Sequence, residues 1–161
     1  MKLCGILFLF ISISSLGFFI SEKYISKLKD IQRVDLFIKN VLLGLENENM
    51  TINEIFEFIE KSCDDKTKNF LCSSSPENFK KISEIAYTSD FCKDKTVNLI
   101  LDEVFYVLGK YSASEQIKEI NFCRNKVISY SQKKENSFLE KAKLSRCSGV
   151  LAGILAAIMF I

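Results

Sequence analysis

This sequence predicts an all-α fold, an antiparallel helical bundle flanked by an N-terminal and a short C-terminal transmembrane helix, on three observations. Apolar residues recur at three- and four-residue spacing through the interior, with no alternating strand pattern and no hairpin turn. Helix-start signals punctuate that interior at intervals. Both ends lack charge entirely: no Asp, Glu, Lys or Arg occurs in Leu3–Ile20 or in Cys147–Ile161. All 20 acidic residues and all but one of the 22 basic residues lie between Ser21 and Arg146. That middle is nearly neutral and carries no nucleic-acid signature. The expected division is therefore an N-terminal anchor over residues 1–21, a helical-bundle domain over 22–146 and a C-terminal membrane segment over 147–161.

The first segment, LCGILFLFISISSLGFFI, has 18 residues. As a helix it covers about 27 Å, close to the hydrocarbon thickness of a bilayer. Its rival reading is a secretory signal peptide, for which Lys2 would supply the basic start. Against cleavage, the apolar run is longer than a signal core, and it is followed by bulky GFFISEKY rather than a small-residue site. A retained anchor is the expectation.

The interior elements follow in order. Ile31, Val34, Leu36, Phe37, Ile38, Val41, Leu42 and Leu45 make an amphipathic helix continuous with the first anchor, ending in the polar stretch Glu46–Asn49. Thr51-Ile52-Asn53-Glu54 is a capping box, since hydroxyl and carboxylate can satisfy free N–H groups reciprocally. It opens a helix through Ile55, Phe56, Phe58 and Ile59 to about Ser62. A short helix is expected over Lys66–Cys72. Ser75-Pro76 pairs an N-cap with the only proline at a first helical position, with Phe79, Ile82, Ile85 and Ala86 turned inward. Asp94 or Lys95 begins an apolar helix through Val97, Leu99, Ile100, Leu101, Val104, Phe105, Val107 and Leu108, closed by Gly109. Ser112-Ala113-Ser114-Glu115 is a second capping box, opening a long helix that runs through Ile117, Ile120, Cys123, Val127, Ile128, Phe138 and Leu139 into the second anchor. The first and last helices are expected to pair, because both enter one bilayer.

The last segment, CSGVLAGILAAIMFI, has 15 residues and reaches only about 22 Å. Gly149, Gly153 and Ala157 recur every fourth position in it, a stripe that lets the first anchor or a partner helix approach closely. Basic residues crowd the inner flanks of both segments: Lys23, Lys27, Lys29 and Arg33 after the first, Lys133, Lys134, Lys141, Lys143 and Arg146 before the second. Lys2 alone lies outside. The positive-inside rule puts the middle in the cytoplasm and both termini across the membrane. The same lysines could meet anionic lipid headgroups, at roughly 1 kcal/mol each.

Catalytic chemistry finds little footing. There is no histidine, so the usual neutral-pH base and commonest metal ligand are missing. The six cysteines, Cys4, Cys63, Cys72, Cys92, Cys123 and Cys147, contain no C-x-x-C pair and match no metal or redox spacing. They read as reduced thiols in a reducing compartment; two disulfides among the middle four are the alternative were the domain exported. Asp64-Asp65 and Asp102-Glu103 are the only carboxylate clusters of note, and each reads as a solvated loop or helix face. Glycine is too scarce for a phosphate-cradling loop. No catalytic, cofactor-binding or metal-ligating residue is expected, and no cofactor.

Three stretches in order carry a resemblance: KLCGILFLFISISSLGF at the start, FYVLGKYSASEQIKEI at Phe105–Ile120, and KAKLSRCSGVLAGILAAIMFI at the end. Together they resemble the stage III sporulation protein AB family of endospore-forming bacteria over essentially the whole length. Leu108, Gly109, Ser112 and Gln116 fit that family's L-G-x-x-S/D-x-x-x-Q pattern. Leu16-Gly17-Phe18 and the run from Gly149 to Gly153 fit as well. Near Val41–Ile52 the chain departs, with Gly44 and Met50-Thr51-Ile52 where the family tends to paired glutamates and then Thr-Pro-Leu.

The resemblance implies a non-enzymatic component of the mother cell–forespore channel, a secretion-like complex needed for endospore formation. It implies a multi-pass protein of the mother-cell membrane with its central domain cytoplasmic. The family is itself similar to the cytoplasmic domain of platform protein F of type II secretion. By that analogy the implied partners are a cytoplasmic hexameric secretion-type ATPase, stage III sporulation protein AA, and other channel subunits, besides membrane lipid and without nucleic acid. The alternative reading is a secreted or surface-exposed helical protein with a cleaved signal peptide and disulfides.

Overall fold

The computed structural model describes residues 2–47, 50–74 and 82–159. Six helices and no strand occur among them: α1 (Lys2–Glu46), α2 (Ile52–Ser62), α3 (Asp65–Ser73), α4 (Ile82–Thr88), α5 (Lys95–Val107) and α6 (Ala113–Met159). The expected Ser75-Pro76 helix start and Phe79 lie outside the described residues.

Local chemistry explains where these helices begin. Thr51 and Glu54 form the full capping box at α2, the Thr51 N–H donating to Glu54 Oε2 at 2.6 Å. Asp64 caps α3 by accepting from the Thr67 N–H. Asp94 caps α5, accepting from the N–H groups of Thr96 and Val97. At α6 the Glu115 carboxylate accepts from both the N–H and the hydroxyl of Ser112. Gly109, at φ +78°, supplies the left-handed residue just past α5.

The chain divides into a terminal unit, Met1–Leu28 with Lys133–Ile161, and a central unit, Lys29–Gln132. Helices α1 and α6 are unbroken and contribute to both. The central unit has a core of Ile31, Val34, Phe37, Ile38 and Val41 from α1, Ile55 and Ile59 from α2, and Leu101, Val104, Ile120 and Val127 from α5 and α6. Four buried phenylalanines form its centre. Phe70 and Phe91 stack at 4.3 Å, Phe37 and Phe105 stack at 5.9 Å, and Phe37 meets the first two edge-on. Such arrangements suit the ring quadrupoles and contribute about 1 kcal/mol per pair beyond burial. Leu36 turns away from the core, half exposed, so the apolar stripe of this helix is narrower than its composition.

A polar network binds the central unit from beside the core. Arg33 donates to buried Asp30 at 2.8 Å, to the Phe91 carbonyl at 2.9 Å and to Asp64 at 2.8 Å. One guanidinium thereby ties α1 to the cap of α3 and to the turn leading into α5. Arg124 on α6 reaches Asp35 on α1 at 2.9 Å, and the Tyr130 hydroxyl donates to Asp94 at 2.9 Å.

In the terminal unit the first span of α1 packs on the last span of α6 through small residues. A methyl group placed on Gly17 would lie 2.7 Å from the Ser145 carbonyl oxygen and 2.8 Å from the Gly149 Cα, so the two backbones touch. Outside this seam the helices present Phe8, Ile11, Leu16, Phe18 and Phe19 from α1, and Leu151, Leu155 and Ile158 from α6, to their surroundings. Only 11% of the most apolar window of each helix is buried. A core helix of a soluble protein would be mostly buried; these two are long and apolar enough to cross a membrane.

Candidate functional site

Two places gather the residues that the sequence singles out. The first is the turn between α5 and α6. Leu108 is buried and closes α5, its N–H bonded to the Val104 carbonyl. Gly109 follows in its left-handed conformation. Gln116, only 8% exposed, folds back over this turn: its Oε1 accepts from the Gly109 N–H at 3.2 Å, and its Nε2 donates to the Tyr111 carbonyl at 2.6 Å. Ser112 holds the start of α6 through Glu115. Leu108, Gly109, Ser112 and Gln116 are thus parts of one clamp that fixes a short turn. Each uses a backbone group that would otherwise lack a partner.

The second place is the seam of the terminal unit. Gly149 meets Gly17, and Gly153 meets Phe10 and Ser14. Ala157 lies further along α6, half-buried. The facing stripe of α1 is Ser14, Gly17 and Ser21; the sequence marks Gly17 through its Leu16-Gly17-Phe18 match and leaves Ser14 and Ser21 unmarked. The stripe's small-residue spacing of three and four is a signal that the reading of α6 alone does not use. Three hydroxyls in this region bond to backbone: Ser12 to the Phe8 carbonyl, Ser15 to that of Ser12, and Ser145 across the seam to that of Gly17. That matters where no water is available. The buried Ser14 hydroxyl facing Gly153 has no hydrogen-bond partner among the described residues.

The basic flanks stay at the surface. Lys23, Lys27, Lys29, Lys141 and Lys143 are exposed. Arg146 is also exposed along its length, yet its Nε donates to buried Ser21 at 2.7 Å and its guanidinium lies 5.9 Å from the Phe18 ring centre. It closes the seam at its charged end.

These spans, the turn clamp and the glycine seam fall within one match to known families. A model of stage III sporulation protein AB covers residues 2–161. The chain belongs to the stage III sporulation protein AB family. No curated protein and no solved structure matches it. Membership gives this stage III sporulation protein AB chain a role in that stage of sporulation, and its two apolar helices associate it with a membrane.

The carboxylates of this family member have structural duties that a solvated reading overlooks. Asp64 caps α3 and pairs with Arg33; together with the Thr67 hydroxyl these contacts hold its carboxyl below the usual range, against the opposing effect of burial. Asp102 accepts from the Ser83 N–H at 2.8 Å at the start of α4, and Glu103 pairs with Lys126 at 2.6 Å. No group of three or more acidic or cysteine side chains converges as a metal set among the described residues. Burial pushes the Cys92 thiol up to about 12 and the Cys123 thiol to about 11. Both are poor nucleophiles, with the character of small core residues. At the position where the chain departs from the family, Gly44 explains itself: a methyl group there would lie 2.6 Å from the Ile55 side chain, so glycine lets α2 close on α1.

Proposed function

We propose that the protein is a non-enzymatic membrane component of the mother cell–forespore channel, whose central domain docks a cytoplasmic hexameric secretion-type ATPase, stage III sporulation protein AA, within a secretion-like complex. The observation that carries this reading is the match of the whole chain, 2–161, to a sporulation family, in a molecule whose two apolar helices run without a break into a packed central unit. In the proposed topology residues 1–21 and 147–161 are anchors and 22–146 face the mother-cell cytoplasm. The exposed lysines at 23, 27, 29, 141 and 143 support that orientation. A retained first anchor is supported by its packing: cleavage near Ser21 would strip α6 of its partners at Gly149 and Gly153.

The test is purification of the full-length tagged chain from detergent-solubilised sporulating cells, joined to cysteine labelling in intact cells. The reading expects the ATPase and other channel subunits to co-purify, and Cys72 to resist an impermeant maleimide until the membrane is opened. Recovery of none of these partners, with normal spores in a deletion strain, would overturn the docking role. Labelling of Cys72 from outside would overturn the topology.

A further inference from the structure

Within the central unit, α5 and the first turns of α6 enclose an open groove of about 640 Å³. Its composition is uneven. Four of its ten lining residues are carboxylates and one is a lysine, and three of the others are the aromatic residues Tyr106, Tyr111 and Phe122. These rings are 60%, 49% and 59% exposed, a concentration of aromatic surface that is uncommon on a folded unit and typical of interface anchors.

The protein's own side chains display what such a surface attracts. The Lys110 ammonium lies 3.3 Å from the Tyr106 ring centre. The Lys126 ammonium lies 4.8 Å from the Phe122 ring centre while pairing with Glu103 at 2.6 Å. Two of the three rings therefore already hold a cation on their faces, one of them bridged to a carboxylate. Glu119 lines the same groove and adds a second negative charge acting on Lys126, and the Tyr111 ring lines it as well. The Gln116 clamp fixes the Tyr111 carbonyl, so the backbone of this turn needs little ordering on binding. The excess of carboxylates repels nucleic acid and anionic lipid.

We propose that this groove is a docking surface for an arginine-bearing segment of a partner protein, its guanidinium displacing the Lys126 ammonium from the Phe122 face and from Glu103, with Glu119 alongside. A guanidinium combines stacking on a ring with paired hydrogen bonds to a carboxylate, which an ammonium cannot do in one plane. The inference deepens the docking reading and rests on it only in taking the occupant to be a protein.

The full chain in nanodiscs of zwitterionic lipid would be titrated with a fluorescent amphipathic peptide carrying arginines along one face. Saturable, salt-sensitive binding is expected, weakened about tenfold by Glu119→Lys and by Phe122→Ala. Glu57→Lys, on an exposed position of α2 outside the groove, should leave it within about twofold. Circular dichroism of each variant shows whether the fold is kept, and Glu119→Gln offers a milder change that should weaken binding by less than Glu119→Lys. Absence of saturable binding overturns the proposal, as does equal loss in the Glu57→Lys control. So does a wild-type dimer that Glu119→Lys dissociates, since the occupant is then a second copy. Groove-dependent peptide binding without ATPase recovery from cells would leave this inference standing and remove the ATPase reading. ATPase recovery unaffected by Glu119→Lys, with no peptide binding, would do the reverse.

Discussion

Arg33 is the residue on which the most separate parts of the central unit depend. It holds buried Asp30, the cap of α3 and the carbonyl of Phe91. Removing it strands the buried Asp30 carboxylate without its ion pair, so Arg33→Ala should cost about 3 kcal/mol in chemical denaturation of the full chain. Adding Asp30→Asn should return part of that loss, because the amide needs no cation. In the sequence Arg33 is one more basic flank residue, and nothing local marks it as a hub. Asp30 is a local i,i+3 partner, but the other two lie 31 and 58 positions away, and no periodicity reports a meeting at that range. Gln116 is the opposite case. The motif named it, yet its task as a clamp on Gly109 and Tyr111 needed coordinates. Gln116→Ala should destabilise by about 1–2 kcal/mol through two backbone groups left without partners.

Helix boundaries were more legible than helix contacts, for a physical reason. A cap is chemistry within four residues, so Thr51-Glu54, Asp94 and Ser112-Glu115 mark their helices in one dimension. Which faces then meet is decided by residues far apart. Phe70 and Phe91 sit at the centre of the aromatic cluster, although one lies in a short polar helix and the other in a turn. The seam of the terminal unit was half legible: the stripe on α6 is regular, while its counterpart on α1 is hidden among large apolar neighbours. Because the backbones touch at Gly17 and Gly149, Gly149→Leu should lower the stability of the full chain in detergent by about 1–3 kcal/mol. Ala152→Leu, at an exposed position one turn away, is expected to leave the melting temperature unchanged.

At the scale of the whole molecule, thiol reactivity and acid stability report on the packed central unit. Burial and the raised thiol of Cys92, at about 12, leave roughly one part in ten thousand as thiolate at pH 8. Alkylation should proceed first at exposed Cys72, more slowly at half-buried Cys63, and at Cys92 only after denaturant opens the core. Reaction at Cys92 in native protein at the rate of Cys72 would contradict the packing. Asp90 gives the acid limb. Lys66 and Lys93 hold its carboxyl down at about 2. Its folded value lies below its unfolded one, so its contribution is complete above pH 4 and fades as pH falls toward 2. A Lys66→Ala variant should show a shallower loss of stability over that window, measured by urea unfolding across pH.

The seam between Gly17 and Gly149 also sets a schedule. The bond from Ser145 to Gly17 joins positions 128 apart, and at ordinary elongation rates the ribosome needs on the order of ten seconds to travel between them. In the proposed topology, the first span waits in the bilayer throughout that interval with its glycine and serine face bare. It must hold itself there by its own affinity for lipid. The asymmetry of the two segments meets that demand: the span made first is the more apolar, with mean hydropathy 1.8 against 1.4 for the one made last. The later segment inserts beside a partner that is already in place, which is where short length and small side chains are least costly.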